Sequence, residues 1–424
     1  MPDRSVAPPI VDAVNFNLQL QPYQKYILKN GVEVYAVDAG TEDVLQVEWV
    51  FDAGNWYETK NLQAAVTNHL LKNGTESRNA YEINEYFDYY GAYLNRNCYA
   101  ETATISLHCL TKHIKELLPA VKDIIAGSTL PLKEMEIAVQ NMKQKLDVNL
   151  KKSSFVAGRL IDVYLFGAQH PYGRFSRHED FDSLTREDLQ AFYDTYYRNG
   201  SLKIFIAGRL PEQVGPLLDQ YFGDLPNNPV KNQTFDVQPS AEKKHTVIND
   251  DKNNQGSIRI ARPFFNRHHP DFLKCQVLNI VFGGYFGSRL MANIREEKGY
   301  TYGIHSYLLN NRYDNGWMIS TEAGRAVSAA AIEEVYKEMA VLREEPVDAE
   351  ELLLVKNFMM GSILGDLDGP FHIIARWKNI ILNGVSNDFF ERSIQNIKTI
   401  TATDLQEMAN KYLHPEAFYE LTVV

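Results

Sequence analysis

The sequence predicts an α+β fold made of two homologous units, each a mixed sheet covered by helices. Three observations carry this. Strands with alternating apolar positions come in hairpin-like succession. Long stretches with apolar residues at helical spacing lie between them. And the pattern begins again in the second half. Thr185, Asp188, Leu189, Gln190 and Tyr196 are matched by Thr401, Asp404, Leu405, Gln406 and Tyr412, and Val139, Asn141 and Met142 by Val355, Asn357 and Phe358, all at an offset of 216. One short match is commonplace; two at a single offset point to duplication of a unit of about 200 residues. The expected division is residues 1–224, a linker over 225–240 rich in Pro, Asn and Gln, and residues 241–424.

Taken in order, Tyr26–Ala36 alternates around Asn30-Gly31, a hairpin signal. A strand near Leu45–Phe51 leads through Asp52-Ala53-Gly54 into a helix over Leu62–Gly74. In that helix Leu62, Ala65, Val66, His69 and Leu70 fall in one stripe, and Gly74 stops it. Asn79 and Glu82 have capping-box spacing before a second helix with Ile83, Tyr86, Phe87 and Tyr90 on its apolar face. Next comes a strand with Ala103, Ile105, Leu107 and Cys109 on one side and Thr102, Thr104, Ser106 and His108 on the other. His108 reads as solvated. Helices follow near 113–127, 132–151 and 153–166, the middle one buried through Met135, Val139, Met142, Leu146 and Leu150. A capped helix from Thr185 and a strand Leu202–Ala207 close the first half.

The bulk properties exclude several classes. A chain of 424 residues, 45% hydrophobic and 23% charged, can bury a sizeable core. The net charge of −11 is spread along the chain, and no basic stripe marks a nucleic-acid partner. No apolar run reaches the ~20 residues that cross a bilayer, so no membrane partner is expected. Met1–Pro9 lacks the apolar core of a secretion signal, which gives a cytoplasmic expectation. Cys98, Cys109 and Cys275 are too few for a disulfide framework and have no metal-ligand spacing; they read as buried thiols in a reducing compartment.

The stretch Leu-Gln-Ala-Ala-Val-Thr-Asn-His-Leu-Leu-Lys-Asn-Gly-Thr, residues 62–75, resembles the opening catalytic helix of the pitrilysin/insulinase family, zinc peptidases with an inverted His-x-x-Glu-His motif. Leu28-Lys-Asn-Gly-Val32, His170-Pro-Tyr-Gly173, Leu184–Leu189 with Tyr196-Tyr197, and Phe282-Gly-Gly-Tyr-Phe-Gly-Ser-Arg-Leu290 extend the likeness in family order over nearly the whole chain. The resemblance implies two homologous α+β units forming half of a clamshell. It also implies a zinc site of two His one turn apart, a Glu general base between them, and a distal Glu some 75 residues on. At those positions this chain has Ala65, Asn68 and His69, and for the distal Glu either Gln144 or Lys145. One imidazole beside a Lys does not hold zinc. We therefore expect no metal, no cofactor and no hydrolysis by this chain alone; His69 reads as a packing residue satisfied by a hydrogen bond, and Asn68 as a capping or packing residue.

A second element of the resemblance is intact. Family members place an Arg on a second-domain helix and a Tyr seven residues later near the substrate backbone, and Arg295 and Tyr302 keep that spacing. Arg offers fixed donors to a peptide carbonyl, and a Tyr hydroxyl can steady an oxyanion. From the residues alone, Arg295 could instead pair with Glu296 or Glu297, and Tyr302 could simply begin a strand. Gly283, Gly284 and Gly287 lack the Lys-Ser/Thr of a phosphate loop and suggest a flexible turn or a tight packing point; His268-His269-Pro270 reads as a solvated turn before a helix. The resemblance implies an inactive subunit binding peptide beside a zinc-bearing homologue in a heterodimer. The alternative is a structural scaffold of the same fold, with a homodimer as its mark.

Overall fold

In the computed structural model residues 11–231, 233–250, 252 and 254–424 are described, and the Met1–Pro9 stretch lies outside them. The strands among the described residues are β1 (Gln24–Ile27), β2 (Glu33–Asp38), β3 (Val44–Phe51), β4 (Tyr93–Cys98), β5 (Ala103–Leu110), β6 (Leu202–Gly208), β7 (Lys244–Val247), β8 (Gln255–Phe264), β9 (Thr301–Leu308), β10 (Asn315–Gly324) and β11 (Tyr419–Val423). They fall into two compact units. One takes described residues 21–252, the helix Pro370–Leu382 and residues 421–424; the other takes described residues among 11–20, 254–368 and 383–420. The units thus cut across the contiguous halves 1–224 and 241–424, and 225–240 is part of the first unit. That segment is tied down along its length: Trp56 Nε1 donates to Gln233 O at 3.2 Å, and Phe235 stands edge-on to Trp56 at 4.9 Å. Gln238 N donates to Phe166 O at 3.0 Å. Gly167, at φ +96°, permits this approach, because a Cβ there would lie 2.8 Å from Gln238 O.

The first unit is built on a six-stranded sheet in the order β1-β2-β6-β3-β5-β4. β1 and β2 form the expected hairpin, Tyr26 opposite Val34, with Gly31 at φ +83° in the turn. β2 pairs parallel with β6, and the other pairs are antiparallel, which makes the sheet mixed. Along β5 the apolar face is buried as expected, yet Thr102, Thr104 and Ser106 are buried too. The helix Pro370–Leu382 supplies the cover. Its Lys378 Nζ sits 2.5 Å from Glu48 Oε2, Ser106 Oγ donates to Glu48 Oε1 at 3.1 Å, and the ring of Phe371 stands 5.9 Å from that of His108. His108 is therefore half-buried rather than solvated, and burial lowers its pKa.

In the second unit β10 lies between β8 and β9, antiparallel to both. Trp317 is fully buried, and its Nε1 donates to Ser306 Oγ at 2.8 Å, which in turn donates to Asn279 Oδ1 at 2.7 Å. Helices Ser328–Glu344, Ala349–Gly365, Phe389–Thr399 and Ala402–Tyr412 accompany the sheet. The repeat read from the sequence reappears as local structure. Thr185 Oγ1 accepts from Asp188 N at 3.2 Å before the helix Arg186–Tyr193, and Thr401 Oγ1 accepts from Asp404 N at 3.1 Å before Ala402–Tyr412. Both are complete capping boxes, as is Asn79 with Glu82. The fold is thus a mixed α/β structure of sheets covered by helices.

Candidate functional site

The helix that resembles a metal-binding helix spans Gln63–Leu70. It starts without a side-chain cap of its own: Leu62 precedes it at φ +76°. Glu58 serves instead, its Oε1 accepting from Ala64 N at 2.8 Å. Glu58 is buried, and burial raises its pKa to about 7 although the Ala64 N–H and the Arg174 guanidinium, 3.4 Å away, oppose the shift.

Gln63, Ala64, Val66, Thr67, Asn68 and Leu70 are buried. Ala65 is half-buried and His69 exposed, so these two, one turn apart, share the face that stays open. This corrects the stripe expected from the sequence, which put Ala65 and His69 inside. The phase is set by Asn68, whose Nδ2 donates to the buried Tyr197 hydroxyl at 3.1 Å. Among the described residues no hydrogen bond reaches the His69 ring, so it is not the satisfied packing residue expected. The ring's pKa is lowered, first by partial burial and then by the Arg96 and Lys72 charges, with Glu134 opposing.

Across from this helix, Gln144 and Lys145 are exposed on the helix Leu132–Leu150. Asp147, the nearest carboxylate there, is bound to His178, Oδ1 to Nε2 at 2.7 Å. Among the described residues no three His, Cys, Asp or Glu side chains gather as a metal-holding group. The open face offers a methyl at Ala65, one imidazole at His69 and two neighbouring cations. That donor set does not fit a divalent metal, and no step is derived through one.

Arg96 is the residue that sequence reasoning missed. It sits in β4, whose Leu94-Asn-Arg-Asn-Cys98 run carries no motif; its approach to the helix is purely tertiary. Its Nε donates to the main-chain carbonyl of Asn68 at 3.1 Å, and burial pushes its pKa down to about 10.

In the other unit Arg295 lies in a π-helical turn, Met291–Glu297, and Tyr302 near the start of β9. The Arg295 guanidinium carbon lies 4.5 Å from the centre of the Phe286 ring, a cation–π contact. Glu297 pairs with Lys298 at 2.6 Å instead. Tyr302 is 92% exposed and Phe286 62%. Gly283 and Gly284 are packing points: a Cβ would come within 2.7 Å of Ser306 Cβ at the first and 2.6 Å of Ile280 Cδ1 at the second. His268 is exposed, its Nε2 2.9 Å from Asn383 O. Cys109 and Cys275 are buried free thiols, and Cys98 is half-buried.

Residues 34–161 match the family model described as insulinase, peptidase family M16, and residues 183–359 match the one described as the peptidase M16 inactive domain. The uncharacterized zinc protease YmxG of Bacillus subtilis is 22% identical over 372 residues, 85% of this chain and 88% of its own. The beta subunit of the mitochondrial-processing peptidase of Bos taurus is 25% identical over 418 residues, 92% of this chain and 82% of its own. Among solved structures, a peptidase M16 inactive domain from Pseudomonas fluorescens superposes with a TM-score of 0.86 at 21% identity, covering 95% of this chain and 98% of that one. With both family models matched in order over more than two thirds of its length, the chain belongs to the insulinase family, peptidase family M16.

Proposed function

We propose that this chain is a non-catalytic subunit of a two-chain peptidase. It pairs with a zinc-bearing homologue, each contributing half of a clamshell, and supplies groups that bind the peptide. The reading rests on one contrast: the metal helix offers a methyl, an amide turned inward and a lone imidazole, while Arg295, stacked on Phe286, and the exposed Tyr302 keep their donors available. The relative named as a peptidase subunit supports pairing. Arg295 would donate to a substrate carbonyl and Tyr302 to the oxyanion formed at the partner's centre. A cytoplasmic location belongs to the same proposal; among the described residues no helix is long and apolar enough to cross a membrane.

The test is reconstitution. The chain alone cleaves no peptide; mixed with a zinc-bearing homologue from the same source, it supports hydrolysis. Arg295→Ala in the mixture lowers kcat/KM on the order of a hundredfold. Unaltered cleavage by that mixture, or a stable homodimer with no affinity for peptide, favours the scaffold reading instead.

A further inference from the structure

β4 runs along the edge of the first sheet and packs beside the helix Gln63–Leu70. Arg96, in the middle of β4, is half-buried. Its bond to the Asn68 carbonyl uses one of five guanidinium donors. Among the described residues no carboxylate forms an ion pair with Arg96 or with Lys72, which is also half-buried just beyond the helix. The Tyr197 phenol also acts on Arg96. Arg96 is anchored on the carbonyl of Asn68, the residue before His69, with Lys72 three residues further on, and its charge lowers the pKa of both. Asp88 acts on Lys72 and Glu134 on His69, and Glu134 accepts from Asn73 Nδ2 at 2.9 Å.

A guanidinium partly withdrawn from water with no counter-ion carries a cost. The carbonyl end of a helix offsets part of that cost, and the two Nη groups of Arg96 have no protein acceptor among the described residues. An anion completes the arrangement. The planar fork of Arg matches a carboxylate, and the nearby Asp88 and Glu134 favour a single negative charge over a dianion such as phosphate. We propose that Arg96, held at the end of the helix that carries His69 and is followed by Lys72, is a carboxylate-binding site for peptides held by this chain. Where a metal-dependent relative would keep a cation for catalysis, this chain keeps an organic one for binding. The inference deepens the peptide-binding role above and rests on it for the source of the carboxylate.

Two measurements test it. In the first, the wild-type chain is treated with phenylglyoxal, and modification at Arg96 is followed by peptide mapping and mass spectrometry. N-acetylglycine slows modification by about tenfold and N-acetylglycinamide does not; equal effects overturn the site. In the second, fluorescence anisotropy compares a labelled uncharged octapeptide with a free C-terminus, its C-terminal amide, and the amide carrying one internal Glu. Amidation weakens binding by about tenfold. Recovery with the internal Glu assigns the site to acidic side chains as well, and no recovery assigns it to the chain terminus. Arg96→Gln abolishes the discrimination and Arg96→Lys keeps part of it; if the Gln variant does not fold, the wild-type protection still decides. Protection by N-acetylglycine without binding of any peptide leaves the carboxylate site and removes the peptide role. Peptide binding indifferent to carboxylates, with no protection, does the reverse.

Discussion

Glu58 shows how one side chain sets the behaviour of its neighbours. It caps the helix Gln63–Leu70 from outside, and the site that lets it do so strips its water. Its folded pKa, about 7, lies above the ordinary 4.5. The folded state therefore holds the proton more tightly than the unfolded chain. The stabilisation is fully present below the unfolded value and is lost as pH rises through about 7. Relative to Glu58→Gln, the wild type should lose roughly 2 kcal/mol between pH values near 5 and 8. Urea denaturation of both proteins across that range measures it, and a pH-independent difference refutes it. Neither this carboxyl nor Arg96 was visible in the sequence, because each owes its state to residues distant along the chain. The positions Ala65, Asn68 and His69 were legible, since they occupy fixed spacings within one helix. Which of them faces outward was not, because the bond from Asn68 to Tyr197 spans 129 residues.

Among the elements, the capped helices were the most legible. A cap is a contact over three residues, so spacing alone reveals it. Thr185→Ala and Thr401→Ala should each cost about 1 kcal/mol, and the double variant about the sum, since the two caps sit in different units. Chemical denaturation of the three variants checks both size and additivity. The strand β5 was legible on one side only. Its polar face predicts solvent, and the helix Pro370–Leu382, some 260 residues on, covers it with an ion pair. Removing Lys378 leaves Glu48 buried without its counter-charge. Lys378→Met should therefore destabilise the protein by about 3–5 kcal/mol, and adding Glu48→Gln should restore a large part. Thermal unfolding of the single and double variants distinguishes this from a loss of packing alone.

For the whole molecule, the duplication at a spacing of 216 predicted two related units, and the family match accounts for both. Nothing in the residue pattern signals that the first unit recovers segments from late in the chain. The chain leaves the first unit at residue 252, returns to it as the helix Pro370–Leu382, and enters it again for residues 421–424, where Val424 N donates to Val247 O at 2.9 Å. The periodicity of a helix states that it has a buried face but not which sheet receives it. A polypeptide ending at residue 240 should consequently be insoluble or molten, with near-UV dichroism lost; a well-folded fragment would show that the returning helix is dispensable. During synthesis, then, the ribosome must pass residue 382 before the first sheet acquires its roof. Until that moment Glu48 lacks the counter-charge of Lys378 and Ser106 beside it lacks its cover, so a chain stopped anywhere upstream of residue 370 should be readily proteolysed.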